Sequence, residues 1–199
     1  VAGIAAVLTL SATLWFAMDT YSENGVVQSR MNLVANGYES HVLPDGSIIE
    51  MNRGAALKID YTPEMRRVEL VSNEAHFDVA KNPERPFIVH ARGVDFRAVG
   101  TAFNVRLKDD SVELLVTEGR VQMTAIDPNL DPEAPELLIY DQELVAGQMS
   151  VASFASEAAV PEVVEVSAVI VDALLAWKPL LLEFDEVPLG EIIEEFNRH

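Results

Sequence analysis

The chain has 199 residues, 49% of them apolar, and a formal net charge of −18 at neutral pH. This length and apolar share suit one domain with a buried core plus a smaller module. The absence of cysteine excludes disulfide staples, thiolate zinc sites and cysteine nucleophiles, and the strong negative charge excludes nucleic-acid binding by counterion release.

Residues 1–18, VAGIAAVLTLSATLWFAM, carry no charge until Asp19 and predict a transmembrane helix. Trp15 and Phe16 near its end suit the water–lipid interface. A cleaved signal peptide would want a basic leader and a small-x-small cleavage site, and this run offers neither. It opens on Val rather than Met, so the expected segment extends upstream. No Lys or Arg occurs between the run and Arg30, which predicts that residues from about 19 onward lie outside the cytoplasm. Residues 19–37 read as a juxtamembrane linker.

From about residue 38 the pattern becomes short alternating runs parted by turn signals. Asp45-Gly46 in LPDGS marks a tight hairpin turn. The runs IIEMN, AALKIDY, RRVELV, EAHFDVA, PFIVHA, VDFRAVG, TAFNVRL, VELLVTE and RVQMTA follow in order to residue 125. In RRVELV, Val68 and Leu70 share one face, with Arg67, Glu69 and Val71 on the other; in EAHFDVA, Ala75, Phe77 and Val79 oppose Glu74, His76 and Asp78. A last strand pair, ELLIYDQEL and QMSVASF, is expected across Ala146-Gly147. The series predicts a mainly β fold over 38–154, an antiparallel β-sandwich or roll. Residues 127–136, DPNLDPEAPE, are acidic, Pro-rich and aperiodic, and read as a loop rather than a calcium site, since the alternation and glycine of such a site are missing.

Residues 155–168 read as a small-residue linker around Pro161. The second half of 163–177 predicts helix, and LLLEFD (180–185) predicts a strand. Pro188 then opens a helix whose Leu189, Ile192, Ile193 and Phe196 form one apolar stripe, with Glu191, Glu194 and Glu195 facing away. Residues 169–199 are thus expected to be a partial α/β (strand–helix) module, completed by strands beyond residue 199. The charge is concentrated here: residues 127–199 hold 16 acids against Lys178 and Arg198, whereas residues 1–126 hold 16 acids against 12 bases. The plain reading is a solvated surface, and the sharper one a negative face for a basic partner.

No catalytic motif emerges. His41, His76, His90 and His199 form no HxH, HxxxH or HExxH pair, and no phosphate-binding glycine loop or nucleophile elbow occurs. His76 reads as a polar-face strand residue, and Gly100-Thr101 as a bend or close backbone approach within a sheet. The residues predict neither an enzyme nor a cofactor.

LPDGSIIEMN, RRVELVSNEAHFDVAKNPERPFIVHA, VGTAFNVRL and VTEGRVQM, in this order, with AGQ at 146–148, resemble the periplasmic domain of the FecR family of transmembrane sigma-factor regulators. LLAWKPLLLEFDEVPLGEIIEEFNRH is similar to that family's closing signature, and the likeness covers about residues 38–199. Its motif residues here are Asp45, Gly46, Phe77, Pro86, Phe87, Gly100, Thr101, Phe103, Gly119, Trp177, Pro188, Leu189, Phe196 and Asn197. Asn73 departs from the family's usual Gly, in a turn that Asn can preserve because it tolerates left-handed backbone.

The resemblance implies a single-pass inner-membrane protein of a Gram-negative bacterium, with residues 19 onward in the periplasm. It implies an anti-sigma or sigma-regulating role: sensing the signalling domain of a ligand-loaded TonB-dependent outer-membrane transporter, as in iron–siderophore or carbohydrate uptake. A cytoplasmic part not among these residues would bind an extracytoplasmic-function sigma factor, and envelope proteases would act near the membrane. The C-terminal module resembles the secretin/TonB short N-terminal signalling domain. An unpaired strand edge is a template for strand addition, so the expected partner contacts are Leu181, Leu182, Glu183, Phe184 and Asp185 with Glu191, Glu194 and Glu195. In the plainer reading Leu182, Phe184, Leu189, Ile192 and Phe196 only fill a core. The rival function is an anchored β-sandwich that binds a glycan or envelope component, which requires an exposed aromatic platform.

Overall fold

The computed structural model describes residues 29–126, 138–154 and 160–179. Thirteen strands in one hydrogen-bonded network, folded as two layers, and one short helix make up these residues. The first layer runs, in spatial order, β1 (Ser29–Val34), β4 (Ala56–Tyr61), β5 (Arg66–Asp78), β6 (Phe87–Ala91), β7 (Val94–Ala98), β10 (Arg120–Ile126) and β11 (Leu138–Val145). The second runs β2 (Glu39–Val42), β3 (Ile48–Met51), β5 again, β8 (Ala102–Leu107), β9 (Ser111–Glu118), β12 (Gln148–Ser153) and β13 (Val163–Glu165). The helix α1 (Ala168–Leu174) lies in the half of 163–177 expected to be helical.

β5 joins the layers. Its residues 66–72 pair with β4, and 73–78 pair with β8. Asn73 sits at the switch with φ +60, and the pairing with β4 slips there, Ala56 opposing Ser72 while Leu57 opposes Leu70. The slip inverts the side-chain parity. Arg66, Val68 and Leu70 are buried before it, and Ala75, Phe77 and Val79 after it, so one strand lines the same interior throughout. The two strands expected over 66–71 and 74–80 are therefore one, and Asn73 is a bend within it rather than a chain-reversing turn.

The mainly β expectation holds, with three corrections. Residues 29–34, inside the stretch read as linker, form β1, where Ser29, Met31 and Leu33 turn inward and Arg30, Asn32 and Val34 outward. The layers are not wholly antiparallel, because β5 and β6 run parallel. Parallel neighbours usually need a crossover of a dozen residues or more; here only residues 79–86 intervene, and a buried side chain holds them, as described below. Finally, β11 and β12 do not pair across Ala146-Gly147. β11 pairs with β10 in the first layer and β12 with β9 in the second, so the chain changes layer at this corner. It does the same at Gly119, between β9 and β10, and the corners are tied by Ala146 N donating to Gly119 O at 3.0 Å.

No helix among the described residues is long and apolar enough to cross a membrane. The expected transmembrane helix (1–18), the loop 127–136 and the strand and helix expected over 180–199 lie outside the described residues.

Candidate functional site

The sequence motifs converge on one buried frame. Asp45 and Gly46 form the β2–β3 turn, with Gly46 at φ +83. The turn does more than reverse the chain: Asp45 accepts from Ser47 Oγ at 2.6 Å, Tyr61 Oη at 3.2 Å and Arg66 Nη1 at 2.6 Å. Arg66 is fully buried, at the inward parity of β5 with Val68 and Leu70. Its Nε donates to Arg85 O at 2.8 Å, and its Nη1 to Ala80 O at 2.9 Å. Its backbone N–H donates to Pro86 O at 3.1 Å. One guanidinium thus satisfies carbonyls of the short 79–86 return that makes β6 parallel to β5. The same group lies 5.5 Å from the Phe87 ring centre. Phe87 meets Phe77 at 6.0 Å, and Phe77 stacks on Phe103 at 5.3 Å. Burial alone would raise the Asp45 pKa, but the bonds from Ser47 and Arg66 outweigh it and hold the carboxyl below its ordinary value. Burial and then the Asp45 charge push the Tyr61 hydroxyl well above its ordinary value.

Gly100, Thr101 and Gly119 form the layer-changing corner. Thr101 Oγ1 donates to Arg120 O at 2.9 Å, and Val79 N donates to Thr101 O at 3.0 Å. A Cβ on Gly119 would stand 3.2 Å from Gly100 O. The glycines are required by the closeness of two backbones, which fits the sequence expectation for Gly100-Thr101. Beside them opens a groove lined by Arg97, Val99, Arg120, Gln122 and Glu143.

The candidate functional site lies on the opposite, outward face of the second layer, where the C-terminal segment docks. Glu50 on β3 receives Lys178 Nζ at 2.5 Å and Tyr38 Oη at 2.8 Å. His76 Nδ1 stands 3.3 Å from Glu50 Oε2 and 3.5 Å from Lys178 Nζ, so its tautomer decides whether it donates to the carboxylate or accepts from the ammonium. The Trp177 and Tyr38 rings meet at 6.3 Å. Behind them, Glu74 accepts from Asn52 Nδ2 at 3.0 Å and Asn104 Nδ2 at 2.9 Å, and Leu174 of α1 lines one small cavity with Glu74, Asn104, Leu115 and Met149. Glu74, His76 and Asn104, outward by strand parity, are nonetheless buried. Burial alone would raise the Glu50 pKa; hydrogen bonds from His76, Lys178 and Tyr38 and the Lys178 charge outweigh it and hold the carboxyl at about 2.

A carboxyl held low when folded stabilises the fold above its unfolded pKa and loses that contribution as pH falls through the folded one. Stability is therefore expected to fall from about pH 4.5 down to about pH 2, and urea midpoints measured across that window should fall less steeply in Glu50→Gln. Equal slopes in the two proteins would contradict this assignment.

Of the motif residues, Asp45, Gly46, Phe77, Pro86, Phe87 and Phe103 gather in the buried frame, Gly100, Thr101 and Gly119 at the corner, and Trp177 at the docked segment. Leu181, Leu182, Glu183, Phe184, Asp185, Pro188, Leu189, Glu191, Glu194, Glu195, Phe196 and Asn197 lie outside the described residues. Sequence reasoning named neither Arg66 nor the Tyr38–Glu50–Lys178 set. Arg66 had a signal, being a charge at the inward parity of an apolar face; Lys178 had one too, as the sole base between Arg120 and Arg198. Among the described residues no group of three His, Asp or Glu could hold a metal ion. Nor do Tyr38 and Trp177 form a flat platform for a sugar ring, since their planes are tilted by 49°.

Two crystal structures of a candidate anti-sigma factor from Parabacteroides distasonis ATCC 8503 share this fold, with TM-scores of 0.61 and 0.60. Each is 23% identical to this chain, covering 85% and 84% of it and 74% of the other; at that identity the likeness speaks for the fold alone. No curated protein matches the chain. Residues 29–122, from β1 into β10, match the family model described as FecR protein. This segment, a little under half of the chain, holds the Asp45–Arg66 frame and the Gly100–Gly119 corner, and it is this segment that belongs to the FecR protein family.

Proposed function

We propose that this chain is the extracytoplasmic signal-transducing part of a transmembrane sigma-factor regulator. The observation that carries the reading is the FecR match over residues 29–122; the fold shared with a candidate anti-sigma factor supports it. On this reading residues 1–18 anchor the protein in the inner membrane of a Gram-negative cell, with the β layers in the periplasm. A part beyond this chain binds an extracytoplasmic-function sigma factor, and envelope proteases cut near the membrane. The stimulus is a ligand-loaded TonB-dependent transporter, whose signalling domain meets the segment after residue 179, with Leu181–Asp185 and Glu191, Glu194 and Glu195 as contacts. The two-layer β fold suits a rigid spacer between anchor and docking segment.

The test is a transcriptional reporter for the sigma factor encoded beside the gene. Deleting the gene should change reporter output severalfold and abolish its response to the transporter's substrate, and restoring the gene should recover both. A reporter that responds equally with and without the gene would overturn the proposal.

A further inference from the structure

We infer that Leu174–Lys178 is a displaceable clasp, which holds the C-terminal segment on the outward face of the second layer and whose release sets the chain's output. The regulatory half of this inference rests on the function proposed above; the clasp itself does not.

The segment is attached in a way unlike the core. No residue of α1 is buried, its N-cap Ser167 makes no side-chain cap bond, and it carries no acid in its first turn and no base in its last. An isolated helix of this length is not stable in water, so α1 depends on the contacts that follow it. Those contacts are the cavity that Leu174 lines with Leu115 and Met149, the Lys178–Glu50 pair, the His76 ring beside it and the Trp177–Tyr38 ring contact. Closure also leaves a cost on each side. Trp177 Nε1 and Asn104 Oδ1 are both buried with no hydrogen-bond partner among the described residues, and an unmet buried polar group costs more than an exposed one because water can no longer reach it. Release returns both to water.

The core stays intact when the clasp opens, since the Asp45–Arg66 frame and the phenylalanine stack lie on the inner side of the layer. Opening uncovers Glu50, His76, Glu74 and Asn104 together, on β3, β5 and β8, and β5 is the element common to both layers. The clasp immediately precedes residues 180–199, so a partner that engages those residues pulls directly on Trp177 and Lys178.

The experiment uses the full chain with Trp15→Phe, which leaves Trp177 as its sole tryptophan. Lys178→Glu, facing Glu50, should red-shift Trp177 emission, and adding Glu50→Lys should reverse much of the shift. The urea midpoint of the β fold, followed by circular dichroism, checks that the variants are folded. In cells whose reporter responds to deletion of the gene, Lys178→Glu should alter output severalfold without stimulus, and the swap should revert it. Unchanged emission in Lys178→Glu would overturn the clasp. Shifted emission with unaltered output would overturn its regulatory role. A reporter indifferent to deletion would sink the sigma-factor reading, leaving emission to decide the clasp.

Discussion

Arg66→Ala is expected to destabilise the fold by about 3–5 kcal/mol, the usual consequence of breaking a buried ion pair by removing one partner. Asp45 would keep its charge in a nearly closed site, where its side chain is only 10% exposed, and the carbonyls of Ala80 and Arg85 would lose their donors. Arg66→Lys should recover little, because an ammonium cannot reach the carboxylate and the separate carbonyls with a planar fork. Asp45→Ala strands the guanidinium instead and should cost a similar amount. The double variant should cost clearly less than the sum of the singles, since neither charge is then left alone. Guanidinium unfolding midpoints on the four proteins check this. Additive losses would show that the two side chains act separately.

Gly100→Ala is expected to cost about 2–4 kcal/mol, from left-handed backbone and overpacking together. Gly100 has φ +70, and an added Cβ would stand 2.8 Å from Lys81 Cβ and 3.1 Å from Lys81 Cα. The Cα belongs to the return segment pinned by Arg66, so it has little freedom to withdraw. Gly147→Ala is the matched control: φ is +83, but nothing lies within 4 Å of the added carbon, and only the backbone term of about 1–2 kcal/mol remains. Equal losses at the two positions, measured by the same unfolding midpoints, would show that the contact with Lys81 is not tight.

The strands were legible wherever one face is core and the other water, because burial then prints a two-residue period on the sequence. Val68 and Leu70 against Arg67 and Glu69 show it plainly. Pairing was less legible. A glycine corner reads the same whether the chain reverses within a layer, as at Gly46, or passes to the other layer, as at Gly119 and Gly147; the difference lies in which strands wait on each side. β5 read as two strands because the bend at Asn73 inverts the parity, and an inverted parity mimics a break. The Asp45–Arg66 pair was half legible: the turn dipeptide announced Asp45, but its partner is 21 residues away. The docked segment left least trace, since His76 and Glu74 read as solvent-facing strand residues, and the Lys178 and Leu174 that stand beside them are about 100 residues away in sequence.

The stable frame lies within the FecR-matched segment, and the clasp lies beyond it, at Leu174–Lys178. In that arrangement the frame should survive substitutions at the clasp, while signalling should not survive loss of the segment after it. The most direct measurement is calorimetric titration of the full-length protein in lipid nanodiscs with the signalling domains of TonB-dependent transporters encoded in the same genome. Saturable binding to at least one of them is expected, lost when residues 180–199 are removed. Absence of binding to every one of them, alongside binding to glycans, would contradict it.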